Sequence, residues 1–357
     1  CGAQGNYAVA MGHQAAQISQ GDNAVALGRL AGYRDQESSA VAIGYHAGRD
    51  DQGANGVAIG LNAACASQAA GSIAIGDGAA QEGQNTNSIG IGYLAGRYAQ
   101  RQDSVAIGAI AGSTGQNTSS VAIGFAAGCA GQGARTVAIG RFAGATDQEN
   151  ECVALGYGAG ETSQGTRAIS IGYFAGENGQ NSYSVAMGYL AGENIQGGST
   201  VSIGSQAGQN SQNAYAVAMG YLSGRNVQQP YAVAVGRLAG CGAQASYAVA
   251  MGHQAGQNQQ GASAIALGRL AGATSQGVNS IAIGVNAGSI SQGDYDVAIG
   301  DAAGQSGQNN YAIAMGYLAG RNAQGGAAIS IGNQAGENSQ NLNAIAIGTL
   351  AGENAQV

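Results

Sequence analysis

Hydrophobic and polar positions recur along this chain with a period of sixteen residues. Gln stands at position 4 and at every sixteenth position after it, through Gln20, Gln36 and Gln52 to Gln340 and Gln356, 23 times without a miss. Gly does the same from Gly12 to Gly348, 22 times. Numbering each unit from its Gln gives sixteen columns and the consensus Q-G-x-x-A-V-A-I-G-Y-L-A-G-x-N-x. Column 6 is always Val or Ile, and column 8 is always Ile, Leu, Val or Met. Column 7 between them is Ala in 18 units, with Gly90, Ser170, Ser202 and Ser330 as the exceptions. Large–small–large alternation, as in Val41-Ala42-Ile43, is the period of a strand, and the β-branched residues suit one. The column-9 Gly ends it.

Charge locates the wet columns. No Asp, Glu or Arg falls in columns 1, 6, 7, 8, 9, 11, 12 or 13. Charges gather in columns 14 to 4, around the Gln, and at column 10, and Asp296 alone is charged in column 5. Two dry segments, columns 6–9 and 11–13, are therefore read as the two short strands of one coil, alternating with two exposed turns. The expected fold is all-β: a parallel β-solenoid (β-roll) of about 22 coils. It is expected as one continuous array over 1–357, about 105 Å long at ~4.8 Å per rung. The chain begins and stops in mid-coil, which is read as a piece of a longer array. One coil cannot offset the ordering of sixteen residues, so stability must come from stacking.

In this reading the large aliphatics Val41, Ile43, Ile107 and Ile123 face the interior, and the Ala and Ser of columns 5 and 7 form an uncharged outer strip that packs against another chain. The uncharged Gln of every rung, Gln20, Gln36, Gln52 and Gln340 among them, is expected to form a structural ladder of stacked amides or to cap the turn. Tyr occupies columns 4 and 10 almost exclusively, seven times each. Successive residues such as Tyr157, Tyr173 and Tyr189 form rows suited to aromatic ladders or to surface contact with a sugar or a partner. Cys1, Cys65, Cys129 and Cys241 share column 14 at least four rungs apart, too far for bridges within the chain. Bridges from Cys65, Cys129 or Cys241 to a second chain are the functional alternative to tolerated small residues.

Composition excludes several classes of chemistry. The 357 residues include 12 Arg, no Lys and 19 acids, for a net charge of −7, which disfavours nucleic acid. Without Lys there is no phosphate loop ending in Gly-Lys. No run of about 18 apolar residues exists, so no membrane insertion is expected. The three His (His13, His46 and His253) lie in columns 10 and 11 and build neither a triad nor a metal site, and no acid pair recurs. Neither cofactor nor metal nor catalysis is expected.

The units Ser72-Ile73-Ala74-Ile75-Gly76, Ser104-Val105-Ala106-Ile107-Gly108 and Ser120-Val121-Ala122-Ile123-Gly124, each followed by a small-residue Gly element, resemble the head repeats of trimeric autotransporter adhesins of the YadA-like, haemagglutinin/invasin type. Similar Gly-Ala repeats occur in viral and phage fibre proteins. The resemblance runs the length of the chain. It implies a left-handed β-roll, three chains side by side, and an extracellular, adhesive position on a cell or virion surface. The invariant Gln and the strict period of sixteen are not part of that family's motif. The function expected is a non-enzymatic structural or adhesive surface fibre whose partners are other copies of itself, as a homotrimer or fibre, and a host-surface protein or glycan. An ice-binding or glycan-binding solenoid face is the alternative.

Overall fold

The computed structural model describes residues 2–356, and Cys1 lies outside them. The fold is an all-β parallel β-solenoid of about 22 coils with a sixteen-residue repeat, and no helix occurs among the described residues. The chain forms two compact units, Cys1–Ser182 and Tyr183–Val357. Each unit carries eleven strands in columns 6–8, from Val9–Met11 to Ile169–Ile171 in the first and from Val185–Met187 to Ile345–Ile347 in the second. Register is one coil per rung throughout: Val25 pairs with Val41, Ala26 with Ala42 and Leu27 with Ile43. Backbone bonds run both ways from each rung, Val25 N–H to Ala40 O at 2.9 Å and Gly28 N–H to Met11 O at 2.8 Å.

The second strand of the coil is not where the dry columns 11–13 placed it. It spans columns 15, 16 and 1, as in Asp50–Gln52 and Thr162–Gln164, and columns 10–13 are a turn. The reason is conformational. Column 11 is left-handed (Leu30 φ 57°, Phe142 φ 59°) and so is column 13 (Gly32 φ 52°), and two left-handed residues in three cannot extend. Those columns are free of charge because column 12 is buried, not because they form a strand. The Gln strands are also less regular. In the first unit single bridges replace strands at Tyr98 and Thr114, and in the second at Gln228 and Gln244.

Glycine is required at one point of the coil and favoured at a second. At column 9, Gly28 has φ 130°, and a Cβ there would sit 2.5 Å from the Gly44 carbonyl oxygen of the next rung. At column 13 a Cβ on Gly32 would press on the Gln36 amide carbon at 2.8 Å, yet Ala64 and Ala80 are accommodated there at φ 44° and 48°.

The core inverts the expected side-chain assignment. Ala42, Ala58, Ala74 and the column-7 residues of every coil but the first, where Ala10 is exposed, are buried, and Ala42, Ala58 and Ala74 pack against the column-12 Ala row, Ala47, Ala63 and Ala79. Val41, Ile43 and Ile123 are only half-buried, and Ile107 is 36% exposed, so these four side chains are not core. The period-2 pattern is as read; the faces are exchanged. Around column 7 the coil leaves too little space for an aliphatic, because the Gln side chains already occupy the interior. A single Cβ added at Gly90, in column 7, would already lie 3.0 Å from the Ala95 oxygen and 3.4 Å from the Ala80 methyl. The interior is therefore filled by methyls, hydroxyls and flat amides, and the branched side chains go outside.

Candidate functional site

One internal feature and two surfaces distinguish this solenoid. Inside each unit runs the Gln ladder. Gln36 Nε2 donates to Gln52 Oε1 at 3.0 Å, to the Val25 carbonyl of the preceding coil at 2.9 Å and to the Ala40 carbonyl of its own turn at 3.3 Å. Gln20 and Gln52 repeat the pattern, Gln20 to Gln36 at 3.1 Å and Gln52 to Gln68 at 3.0 Å. Gln340 closes the described ladder of the second unit by accepting from Gln324 at 3.3 Å. Both readings of the Gln therefore hold at once: the amides stack, and they cap the turn. These links all point the same way, with Nε2 donating to the Oε1 of the following coil. The buried Oε1 atoms of Gln132 and Gln292 lack a donor, which marks a break in the ladder of each unit.

The first surface is the outer face of the column 6–8 sheet. In each unit it is a strip two side chains wide and eleven rungs long, made of Val, Ile, Leu and Met alone. All five Met of the chain lie on it, with Met219 40% and Met251 45% exposed. The strip has no charge, whereas Arg29, Asp77, Arg141, Arg237, Arg269 and Asp301 line its column-10 border. An apolar core with a polar rim is the anatomy of an interface. At ~4.8 Å per rung and about 10 Å across, one unit presents about 500 Å² of it, at the upper limit of what a monomer leaves exposed.

The second surface carries the aromatic rows. In column 4 of the second unit Tyr215, Tyr231 and Tyr247 stack with ring centroids 5.0 and 4.9 Å apart and planes within 6° and 3°. In column 10 Tyr157 and Tyr173 stack at 5.3 Å and 14°, and Tyr189 is exposed in the second unit. Parallel rings at this spacing turn their faces to one another and their edges and hydroxyls to solvent. A sugar ring stacks on an aromatic face, so the rows are built as ladders rather than as platforms. Sequence reasoning missed a local cluster here. All three Phe of the chain (Phe125, Phe142 and Phe174) join Tyr157 and Tyr173, and Arg141 lies 4.9 Å over the Phe142 ring. The column-11 Gly158 makes room for it, because a Cβ there would meet the Phe174 ring.

The cysteines are poorly placed for bridging. Cys65 is buried, Cys129 and Cys241 are partly so, and burial pushes all three thiols up, away from the reactive thiolate. Cys152, in column 5, is fully buried and its thiol donates to the Gly165 carbonyl at 2.9 Å. Charged groups pair along the turns. Glu151 lies between Arg135 and Arg167 of the adjoining rungs at 2.5 Å each, and the Arg167 and Arg135 hydrogen bonds hold its carboxyl below the usual range. His46 is pulled down by partial burial and by Arg49, and it stands apart from the other two His. Among the described residues no group of three His, Cys, Asp or Glu side chains is placed to hold a metal, and no helix is long and apolar enough to cross a membrane. Compared with known proteins, the chain matches no family model, and no curated protein gives a match.

Proposed function

We propose that this chain is a structural fibre element that packs side by side with other copies of itself through the outer Val/Ile strip. One observation carries the reading: an uncharged aliphatic strip that repeats at one rung per coil and has nothing over it. A partner must match that pitch over many rungs to interdigitate with it, and a second copy of the same solenoid does so automatically. Two copies joined through one unit's strip bury about 1,000 Å² in total, the lower bound for a specific interface, and engaging both units doubles it. Partner contact thus moves from the Ala columns, where the sequence placed it, to columns 6 and 8. The resemblance to adhesin heads supports three copies and a surface-exposed, extracellular position on a cell or virion.

An ice-binding face calls for regular small hydroxyl rows, and the exposed strip carries Val, Ile and Met instead. The Tyr ladders offer edges, which weakens the glycan reading. Analytical ultracentrifugation of the intact chain and of the Ile107→Asp/Ile123→Asp variant tests the proposal. The wild type should sediment as a discrete assembly, and the variant as a 34.8 kDa single chain with unchanged circular dichroism. A wild type that stays monomeric at all concentrations, or a variant that assembles equally well, overturns it.

A further inference from the structure

Column 5 points into the coil, and its polar side chains have one task there. Ser88 Oγ donates to the Asn85 carbonyl at 2.6 Å and Thr136 Oγ1 to the Gly133 carbonyl at 3.0 Å, both in column 2 of the same unit. Ser280 reaches the column-2 carbonyl of the next coil, Gly293, at 2.7 Å, and Cys152 reaches Gly165 in the same way. Each is a donor to a carbonyl. Asp296 occupies this column in the second unit and is fully buried. Its Oδ1 accepts the Ala312 N–H at 2.8 Å, while its Oδ2 is buried without a partner. The column-2 carbonyls that the repeat sets around it are those of Gly293 and Asn309. A carboxylate oxygen cannot donate to a carbonyl, and a protonated one can.

We propose that Asp296 is a proton-gated weak point of the second unit. With the carboxyl protonated, Oδ2–H stitches its coil as the Ser hydroxyls stitch theirs. With the proton lost, the coils on either side open.

The electrostatics agree with this geometry. Burial pushes the Asp296 carboxyl up to about 7, and the neighbouring charge of Asp294 adds to the rise. The N–H groups of Ala312 and Gly293 oppose it without cancelling it. No cation acts on the group; its register neighbours Ser280 and Ala312 and the ladder residues Gln292 and Gln308 are neutral. The sign follows. The folded carboxyl holds its proton more tightly than the unfolded one, at an ordinary value of 3.8. The closed coil is therefore favoured at low pH, loses that advantage as pH rises from about 4 to 7, and is level above.

Hydrogen exchange read by mass spectrometry on the intact chain tests this, with rates corrected for the intrinsic pH dependence of exchange. In the wild type the opening constant of the strands Val297–Ile299 and Ile313–Met315 should rise about tenfold per pH unit between pH 5 and 7 and then flatten. The strand Val121–Ile123 of the first unit should show no such rise. Asp296→Ser copies the neighbouring Ser280, and Asp296→Asn keeps the shape while adding a donor; both should remove the pH dependence and keep the coil closed at pH 8. The same rise in Asp296→Ser as in the wild type, or a flat profile in the wild type, overturns the proposal.

Discussion

Replacing Gln68 with Glu exchanges one NH₂ group for one oxygen at the centre of the ladder, and its cost can be worked from the contacts. Gln68 is 1% exposed. Its Nε2 donates to Val57 O at 2.9 Å, Ser72 O at 3.2 Å and Gln84 Oε1 at 3.0 Å, and its Oε1 accepts from Gln52 Nε2 at 3.0 Å. In Gln68→Glu the accepting oxygen survives, and the other oxygen faces three acceptors. The new carboxyl must then stay protonated. Holding it so at pH 7, against an ordinary value of about 4.3, costs about 1.4 kcal/mol per pH unit, or roughly 3.7 kcal/mol. The one proton restores one of the lost donor bonds, and the acceptors still unpaired add about 1–3 kcal/mol. A loss of about 5 kcal/mol at pH 7 should shrink to about 2 kcal/mol at pH 4.5, because this group's folded value lies above its unfolded one and the penalty grows as pH rises. Gln68→Leu, of similar bulk, takes the donor from the same three acceptors and the acceptor from Gln52 Nε2, and with no carboxyl to hold protonated should cost about 1–3 kcal/mol at every pH. Urea unfolding at pH 4.5 and 7, with hydrogen exchange to localise the change to the neighbouring coils, reads both variants. A Glu variant as stable at pH 7 as at pH 4.5, or a Leu variant costlier than Glu at pH 7, would refute the ladder as the source of this stability.

Three further outcomes follow from the exchanged faces and the left-handed turns. Ala122→Ile should destabilise the first unit by about 3 kcal/mol or more, because the interior has no room for the added carbons. Ile123→Asp, one residue on, should lower the urea midpoint of the single chain far less, reversing the usual ranking of the two substitutions. Ile195 holds φ 44° at column 16 while 64% exposed, a conformation that costs a β-branched residue about 1–2 kcal/mol, so Ile195→Gly should raise the thermal midpoint. Tyr231→Ala, which splits the Tyr215–Tyr231–Tyr247 stack, should lose about 1 kcal/mol, whereas Tyr45→Ala, outside any Tyr stack, should lose less in the same melt.

Much of the coil was legible because each feature had a column of its own. The invariant Gln, uncharged amid variable neighbours, announced an amide ladder. The Val-Ala-Ile triplets announced a strand that ends at the column-9 Gly. Which face of that strand turns inward was not legible, because alternation reports only that two faces differ. The rule that larger apolar side chains go inside assumes an interior wide enough to take them, and the surroundings of Gly90 show that beside the buried Gln row column 7 has room for little more than a methyl. Columns 11–13 were misread for a related reason. Absence of charge at Leu30-Ala31-Gly32 reports burial of Ala31, and the positive φ of Leu30 and Gly32 leaves no mark in composition except the frequent Gly. Asp296 stood out as the one acid in its column, but its missing donor became visible only once the Ser and Thr side chains of that column were seen bonded to carbonyls.

Pulse oxidation of the Met row by dilute peroxide tests the central claim most directly. Met187, Met219, Met251 and Met315 all project from column 8, 37–45% exposed. Their sulfoxide yields are read by mass spectrometry over a series of protein concentrations. If column 8 faces outward and a second copy covers it, all four should oxidise readily in dilute protein and become protected together as concentration rises. Protection at every concentration would mean that the column faces the core, and oxidation at every concentration would mean that nothing covers the strip.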